Sequence, residues 1–149
     1  MTLAITTVCE SIAALVIEGV KICDLKNIPP SAVRLTPILF PDPNNPISSF
    51  EVTRQSYGGG PSYLLDADYD LNYIFLYCEA GSGRTGLDYT EDRMLKVQAV
   101  YDAILSIDTF EGGVDISPTS NVQFTSMTDP GGKEYLGCLM TFHVKEFWR

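Results

Sequence analysis

Basic residues are scarce in this sequence. Ten lysines and arginines stand against nineteen aspartates and glutamates, which gives a formal net charge of −9. Non-specific binding to a polyphosphate backbone needs clustered lysine and arginine, so this composition argues against a protein that binds nucleic acid. The excess of negative charge also makes copies of the chain repel one another. Any self-assembly must therefore be driven by local apolar or hydrogen-bonded contacts.

Histidine and paired cysteines are lacking as well. The sequence has one histidine, His143, and its four cysteines form no C-x-x-C pair. Zinc sites draw on such clusters, so we expect neither a metal site nor a cofactor. Cys9, Cys78 and Cys138 are expected in apolar faces, where a thiol behaves as a small hydrophobe. Cys23, near the end of the first predicted helix, is the thiol that could be exposed.

A long hydrophobic run and a basic leader are also lacking. Glu10 and Glu18 bracket only a short apolar segment, whereas a membrane-spanning helix needs about 20 apolar residues and a signal peptide begins with basic ones. We therefore expect synthesis in the cytoplasm and no membrane contact. Hydrophobic residues make up 45% and charged residues 19% of the chain, as in ordered globular proteins. We expect one domain, spanning residues 1–149.

Residues 69–107 form the segment around which the rest of the chain must pack. Tyrosine, leucine and phenylalanine recur at every second position from Tyr69 to Tyr77, which predicts a central strand. A glycine-rich link follows at 79–86. Thr90 can then cap a helix. The apolar residues of this helix share one face at spacings of three and four, namely Met94, Val97, Tyr101, Ile104 and Leu105.

The flanking segments complete the predicted fold. Helical periodicity over residues 2–20 predicts a first helix, and residues 33–40 predict a short strand. Residues 122–148 predict a hairpin that turns at 128–133 and places His143 on its solvent side. The order predicts an α+β domain with a mainly antiparallel sheet of about four strands and two helices packed on one face. Long protruding loops are expected at 41–46, 56–66 and 79–89.

One short string resembles a catalytic signature. Cys78, five intervening residues and Arg84-Thr85 match the C-x5-R-[ST] loop of cysteine-dependent phosphatases. In that family backbone N–H groups and the arginine bind phosphate and lower the thiol pKa. This chain departs from the family because Tyr77 stands where a histidine is expected, and because Asp88, Glu91 and Asp92 would place negative charge beside a dianionic substrate. A phosphatase is therefore kept only as the alternative function.

The layout as a whole resembles the tail terminator (tail-completion or minor tail) family of tailed bacteriophages. The resemblance rests on the first helix, the strand at 33–40, the tyrosine-rich strand at 69–78 with its Gly-Ser-Gly-Arg link, the helix around 97–105, and the closing hairpin. It implies a non-enzymatic virion subunit, assembled in the host cytoplasm. Such subunits form a ring, usually a hexamer, that caps the tail tube and joins it to the neck.

The resemblance also implies the partners of this chain. They are further copies of itself, a tail tube protein and a neck or head-completion protein. Loops rich in glycine and proline can reach a neighbouring subunit without disturbing the core. Within the second and third loops, tyrosine, leucine and arginine are residue types enriched at interface hot spots. The predicted interface residues are Tyr57, Gly58, Gly59, Gly60, Tyr63, Leu64, Arg84 and Tyr89.

Overall fold

The structure, a computed structural model, describes residues 5–31, 35–56, 63–79, 87–107 and 114–148. In these residues two helices and six strands follow one another along the chain. Their order is α1 (Ile5–Ala13), β1 (Lys21–Ile22), β2 (Ile38–Pro41), β3 (Ile47–Ser56), β4 (Tyr63–Glu79), α2 (Leu87–Leu105), β5 (Val114–Thr128) and β6 (Glu134–Trp148).

Strand β4 is the centre of the sheet, as the sequence predicts. It is 17 residues long and pairs antiparallel with β6 from residue 65 to residue 79. On its other side it pairs antiparallel first with β3, over residues 63–71, and then with β2, over residues 73–76. The order across the sheet is β1-β2-β4-β6-β5, with β3 also beside β4. Aromatic and aliphatic side chains on both faces of β4 suit this central position.

The predicted sheet of about four antiparallel strands is wrong. The described residues form a six-stranded sheet, in which β1 pairs parallel with β2. β1 escaped prediction because two residues, Lys21 and Ile22, are too few to show a period. Two of the predicted loops are also shorter than expected. Pro41 ends β2, β3 extends to Ser56, and β4 already begins at Tyr63.

One face of the sheet carries the main hydrophobic core. The side chains at odd positions of β4, from Tyr69 to Tyr77, lie on this face together with those of Cys138, Met140 and Phe142 from β6. Both helices contribute to the same cluster, with Val8, Cys9 and Ile12 from α1 and Val97, Val100 and Ile104 from α2. Burial of each large apolar side chain stabilises the fold by roughly 1.5–3 kcal/mol. This cluster therefore holds both helices against the sheet.

The opposite face is apolar at one end only. A second buried cluster lies there, made of Cys23, Ile38, Phe40, Ile74, Leu76 and Tyr135. Cys23 is 5% exposed, so the expectation that its thiol could be exposed is wrong. Its backbone N–H donates to the carbonyl of Leu39 at 2.9 Å. This bond continues the pairing of β1 with β2 and turns the thiol towards the sheet.

The other end of this face is polar. His143 has a 45% exposed side chain, which confirms the expectation that it faces solvent. Its Nδ1 lies 3.1 Å from Asp70 Oδ1, and its Nε2 lies 3.2 Å from Asp68 Oδ1. At the polar end of the sheet, side-chain contacts between histidine and aspartate therefore join β6 to β4.

Asn72 lies where β4 changes partner from β3 to β2, and it is 6% exposed. Its Nδ2 donates to the carbonyl of Asn45 at 3.0 Å and to Ser48 Oγ at 3.2 Å. Its Oδ1 accepts a hydrogen bond from Thr141 Oγ1 at 3.1 Å. A single buried amide thus joins the turn at 42–46 to β3, β4 and β6.

Candidate functional site

Most of the predicted interface residues lie in parts of the chain whose contacts the structure does not describe. Five of them fall outside the described residues: Tyr57, Gly58, Gly59, Gly60 and Arg84. Tyr63 and Leu64 lie in β4 and Tyr89 lies in α2, where only their backbone is described. These three residues therefore lie in regular structure rather than in loops as predicted. The contacts of all eight side chains stay a prediction.

Cys78, the nucleophile of the phosphatase alternative, lies near the end of β4. It is 8% exposed and belongs to the main core cluster. Both strands beside this part of β4 run antiparallel to it, whereas the phosphatase fold is built on a parallel sheet. The rest of the signature loop, residues 80–86, lies outside the described residues. Nothing in the described part of the chain favours phosphatase chemistry.

Two other thiols are held in the protonated form by their surroundings. Burial raises the pKa of Cys9, an effect only partly offset by the hydroxyl of Tyr73 beside it. Burial also raises the pKa of Cys138, to about 12, against a smaller opposing effect of Arg93. Since the thiolate is the nucleophile, neither group is reactive at neutral pH.

The most accessible feature of the sheet is the outer edge of β5. Among the described residues, β5 pairs with β6 alone, so one row of its backbone N–H and C=O groups faces outwards. Proteins commonly protect such an edge with charged side chains, because it can pair with another chain. Residues 120–128 of β5 carry no charged side chain. This edge is therefore open to strand pairing.

A groove of about 740 Å³ lies beside this edge, between α2 and β5. Its lining is mostly apolar, and consists of Glu91, Met94, Leu95, Val97, Gln98, Tyr101, Val122 and Phe124. Met94 is 56% exposed, Leu95 is 57% exposed and Phe124 is 45% exposed. Three large apolar side chains exposed within one concave surface are typical of an interaction site.

The walls of the groove are fixed by contacts with the core. The guanidinium of Arg93 lies over the ring of Phe124, 5.0 Å from its centroid. The ring of Tyr101 packs against that of Phe142 with centroids 5.0 Å apart. Arg93 and Tyr101 lie about two helical turns apart on α2, so the first contact joins this helix to β5 and the second joins it to β6. The groove is thus a built feature of the fold.

A second exposed apolar patch lies on β3, at the opposite edge of the sheet from β5. Phe50 is 45% exposed and Val52 is 44% exposed. The ring of Phe50 stacks on that of Tyr69, with centroids 5.8 Å apart. Among the described residues β3 pairs with β4 alone. β3 therefore combines an open backbone edge with apolar side chains, as β5 does.

The β3 patch and the groove lie on the same face of the sheet. Val52 lies opposite Ala67 of β4. Val122 lies opposite Met140 of β6, which in turn lies opposite Tyr73 of β4. Ala67 and Tyr73 are an even number of residues apart on one strand, so their side chains point to the same face. The two patches therefore lie at opposite edges of the helix-covered face of the sheet.

The sequence analysis identified some residues of the groove but did not predict that they are exposed. Met94 was expected on the buried face of α2, because helical spacing aligns it with Val97 and Tyr101. In the structure Met94 is more than half exposed and lines the groove beside β5. In the sequence, the open edge of β5 is indicated only by the absence of charged residues from 120–128.

Comparison with known proteins assigns no family and no function to this chain. In the described part of the chain, no helix is long and apolar enough to span a membrane. The same residues contain no cluster of three or more histidine, cysteine or acidic side chains fit to hold a metal ion. No family model matches the sequence, and no curated protein matches it.

Proposed function

We propose that this chain is a non-enzymatic structural subunit that assembles head to tail with copies of itself into a ring. We further propose that the ring belongs to a bacteriophage tail, where it caps the tail tube and joins it to the neck. The observation that carries the proposal is the pair of open strand edges, β5 and β3, on opposite sides of one sheet. Each edge has exposed apolar side chains beside it.

Head-to-tail assembly needs two different surfaces on one subunit that fit each other. A self-complementary surface would instead give a two-fold dimer, for which a single open strand edge is enough. Here the groove beside β5 is concave, whereas the β3 patch projects two side chains from an edge. The two surfaces differ in shape, which supports a ring rather than a two-fold dimer.

The position at the tail rests on the order of elements. A first helix, a long tyrosine-rich strand, a single long helix and a closing hairpin are the features by which the chain resembles tail terminator proteins. The segments that contain Tyr57 and Arg84 are proposed to contact the tail tube or the neck, since the two strand edges are proposed to contact the neighbours within the ring. Enzymatic activity is not part of the proposal.

The proposal is tested by measuring the mass of the purified protein in solution over a range of concentrations. We expect a ring of about six copies in equilibrium with the 16.4 kDa chain. Addition of polymerised tail tube protein should yield tubes capped at one end in electron micrographs. A chain that stays monomeric at every concentration and leaves the tubes bare would contradict the proposal.

Two further variants test whether the segments around residues 58–60 and Arg84 contact the tail tube. Arg84→Ala and deletion of residues 58–60 should weaken tube capping while the free ring keeps its mass. A generic aryl phosphate provides the enzymatic comparison, with Cys78→Ser as the matched variant. Turnover by the wild type that is lost in Cys78→Ser would replace the structural function with the phosphatase alternative.

A further inference from the structure

We infer that the groove between α2 and β5 receives strand β3 of a second copy of this chain, with Phe50 and Val52 seated on its apolar lining. The inference rests on the proposed function, because it names the contact that would hold neighbouring subunits together. It turns two separate surface features into the two halves of one interface.

The strand directions in the sheet favour this pairing. β5 runs antiparallel to β6, β6 to β4, and β4 to β3. β5 and β3 therefore point in opposite directions. A second copy placed beside β5 in the same orientation presents β3 antiparallel to it, and antiparallel pairs form backbone hydrogen bonds perpendicular to the strands, slightly more stable per residue than parallel pairs. The sheet then continues from one copy into the next.

The side chains are placed for contact by the same geometry. Phe50, Val52 and the groove all lie on the helix-covered face of the sheet. When two edges join into one sheet, that face remains continuous across the junction. Phe50 and Val52 of the incoming strand then lie next to β5 on this face, towards Met94 and Leu95. Apolar surface that is half exposed in each separate copy becomes buried.

The two surfaces cannot meet within one copy. β6 and β4 separate β5 from β3, so the distance between them is three strand spacings, or roughly 14 Å. The contact must therefore join different copies. It is also compatible with the net charge of −9, because residues 120–128 are uncharged and the contact is made by apolar groups and backbone hydrogen bonds.

A pair of charge-introducing variants tests the inference. Val52→Glu places a charge in the β3 patch, and Leu95→Glu places one in the groove. Each position is about half exposed, so we expect both variants to fold, which circular dichroism checks. Each variant alone should assemble at least about tenfold more weakly than the wild type, since a buried unpaired carboxylate costs more than 1.4 kcal/mol. Val16→Glu, at a 96% exposed position outside both surfaces, is the matched control and should assemble normally.

Mixing the two variants tests the direction of the contact. Val52→Glu keeps an intact groove and Leu95→Glu keeps an intact β3, so an equal mixture has one usable interface. We expect the mixture to form a species of twice the chain mass that grows no further. A mixture that stays monomeric, or Val52→Glu protein that assembles while Leu95→Glu protein does not, would overturn the inference; the second result would indicate pairing of β5 with β5.

The outcomes separate the inference from the proposed function. If the wild type and both variants form rings of the same mass, the groove is not the site of β3 and the ring-forming function stands. If the wild type itself is monomeric and does not cap tubes, the proposed function fails and the inference fails with it.

Discussion

At the scale of single residues, Gly137 shows how closely β4 and β6 approach each other. It is paired with Leu76, directly beside a bulge in β4. A Cβ atom at this position would lie 2.1 Å from the carbonyl oxygen of Phe75. That oxygen belongs to the backbone of the central strand and cannot move aside without breaking the pairing of the two strands.

Gly137→Ala is therefore expected to lower the free energy of unfolding by about 3 kcal/mol, because β6 must shift away from β4. Chemical denaturation measures the change. Gly132→Ala is the comparison, since Gly132 has a φ of 88° but a Cβ atom there would meet nothing within 4 Å. That variant should lose only about 1 kcal/mol, from backbone strain. Equal losses in the two variants would contradict the steric explanation.

At the scale of elements, the turn at 42–46 is held to β4 by Asn72. Its side-chain amide bonds the Asn45 carbonyl, and two backbone hydrogen bonds of 2.9 Å join Asn72 to Asp42 and to Pro46. Asx-type bonds within the turn, from the backbone of Asn44 to Asp42 Oδ1 at 3.0 Å, shape it locally. Asn72 then ties it to three strands at the point where β2 replaces β3 as the neighbour of β4. The junction between the two halves of the sheet depends on this side chain.

Asn72→Ala is expected to lower the free energy of unfolding by about 2 kcal/mol, because it leaves polar groups of Asn45 and Thr141 without their buried partner. Thermal unfolding followed by circular dichroism measures this loss. Asn44→Ala, at an exposed position in the same turn, should change stability by less than about 0.5 kcal/mol. A loss in Asn72→Ala no larger than that of the control would show that water replaces the amide freely.

The sequence predicted the elements that have a clear period. β4, α2 and the hairpin of β5 and β6 were expected from alternation and helical spacing. β3 has no clear period, because a bulge near Ser48 interrupts its alternation and Ser49 has a positive φ of 53°. The first part of β5 lies outside the predicted hairpin, and its pairing is broken by a register shift between Ile116 and Ser120 that contains Pro118. Local irregularities of this kind hide strands from pattern analysis.

The candidate site was less predictable than the fold. Helical spacing shows which side chains of α2 share a face, but it does not show how far the sheet extends beneath the helix. Met94 and Leu95 are both more than half exposed in the groove beside β5, and β5 is the last strand on this side of the sheet. The end of α1 is a similar case. The helix stops at Ala13, well before the predicted residue 20, and leaves Val16 96% exposed.

At the scale of the whole molecule, the charge of −9 opposes every contact between copies. The inferred interface contains few charges, so repulsion acts between whole subunits rather than across the contact. Salt shortens the range of this repulsion, to about 8 Å at physiological ionic strength. Backbone hydrogen bonds and apolar contacts between the subunits are affected much less.

Assembly should therefore become stronger as salt rises. We expect the concentration needed for half-assembly to fall several-fold between about 0.02 M and about 0.5 M sodium chloride, as sedimentation velocity can measure. A variant with Glu10→Gln and Glu18→Gln, both exposed and outside the two surfaces, carries two fewer negative charges and should respond less to salt. Weaker assembly at high salt would instead indicate an interface held by ion pairs.

Strand β4 is paired on both of its edges, and this pairing determines how readily its backbone is exposed to solvent. From residue 65 to residue 76 this strand is flanked by β6 on one side and by β3 or β2 on the other, apart from the change of partner at Asn72. The backbone N–H groups of the strand point alternately into these two ladders, so exchange with deuterated solvent along the whole strand requires both ladders to separate. The slowest-exchanging amides of the chain will therefore lie in β4, and their rate will report the global unfolding of the protein.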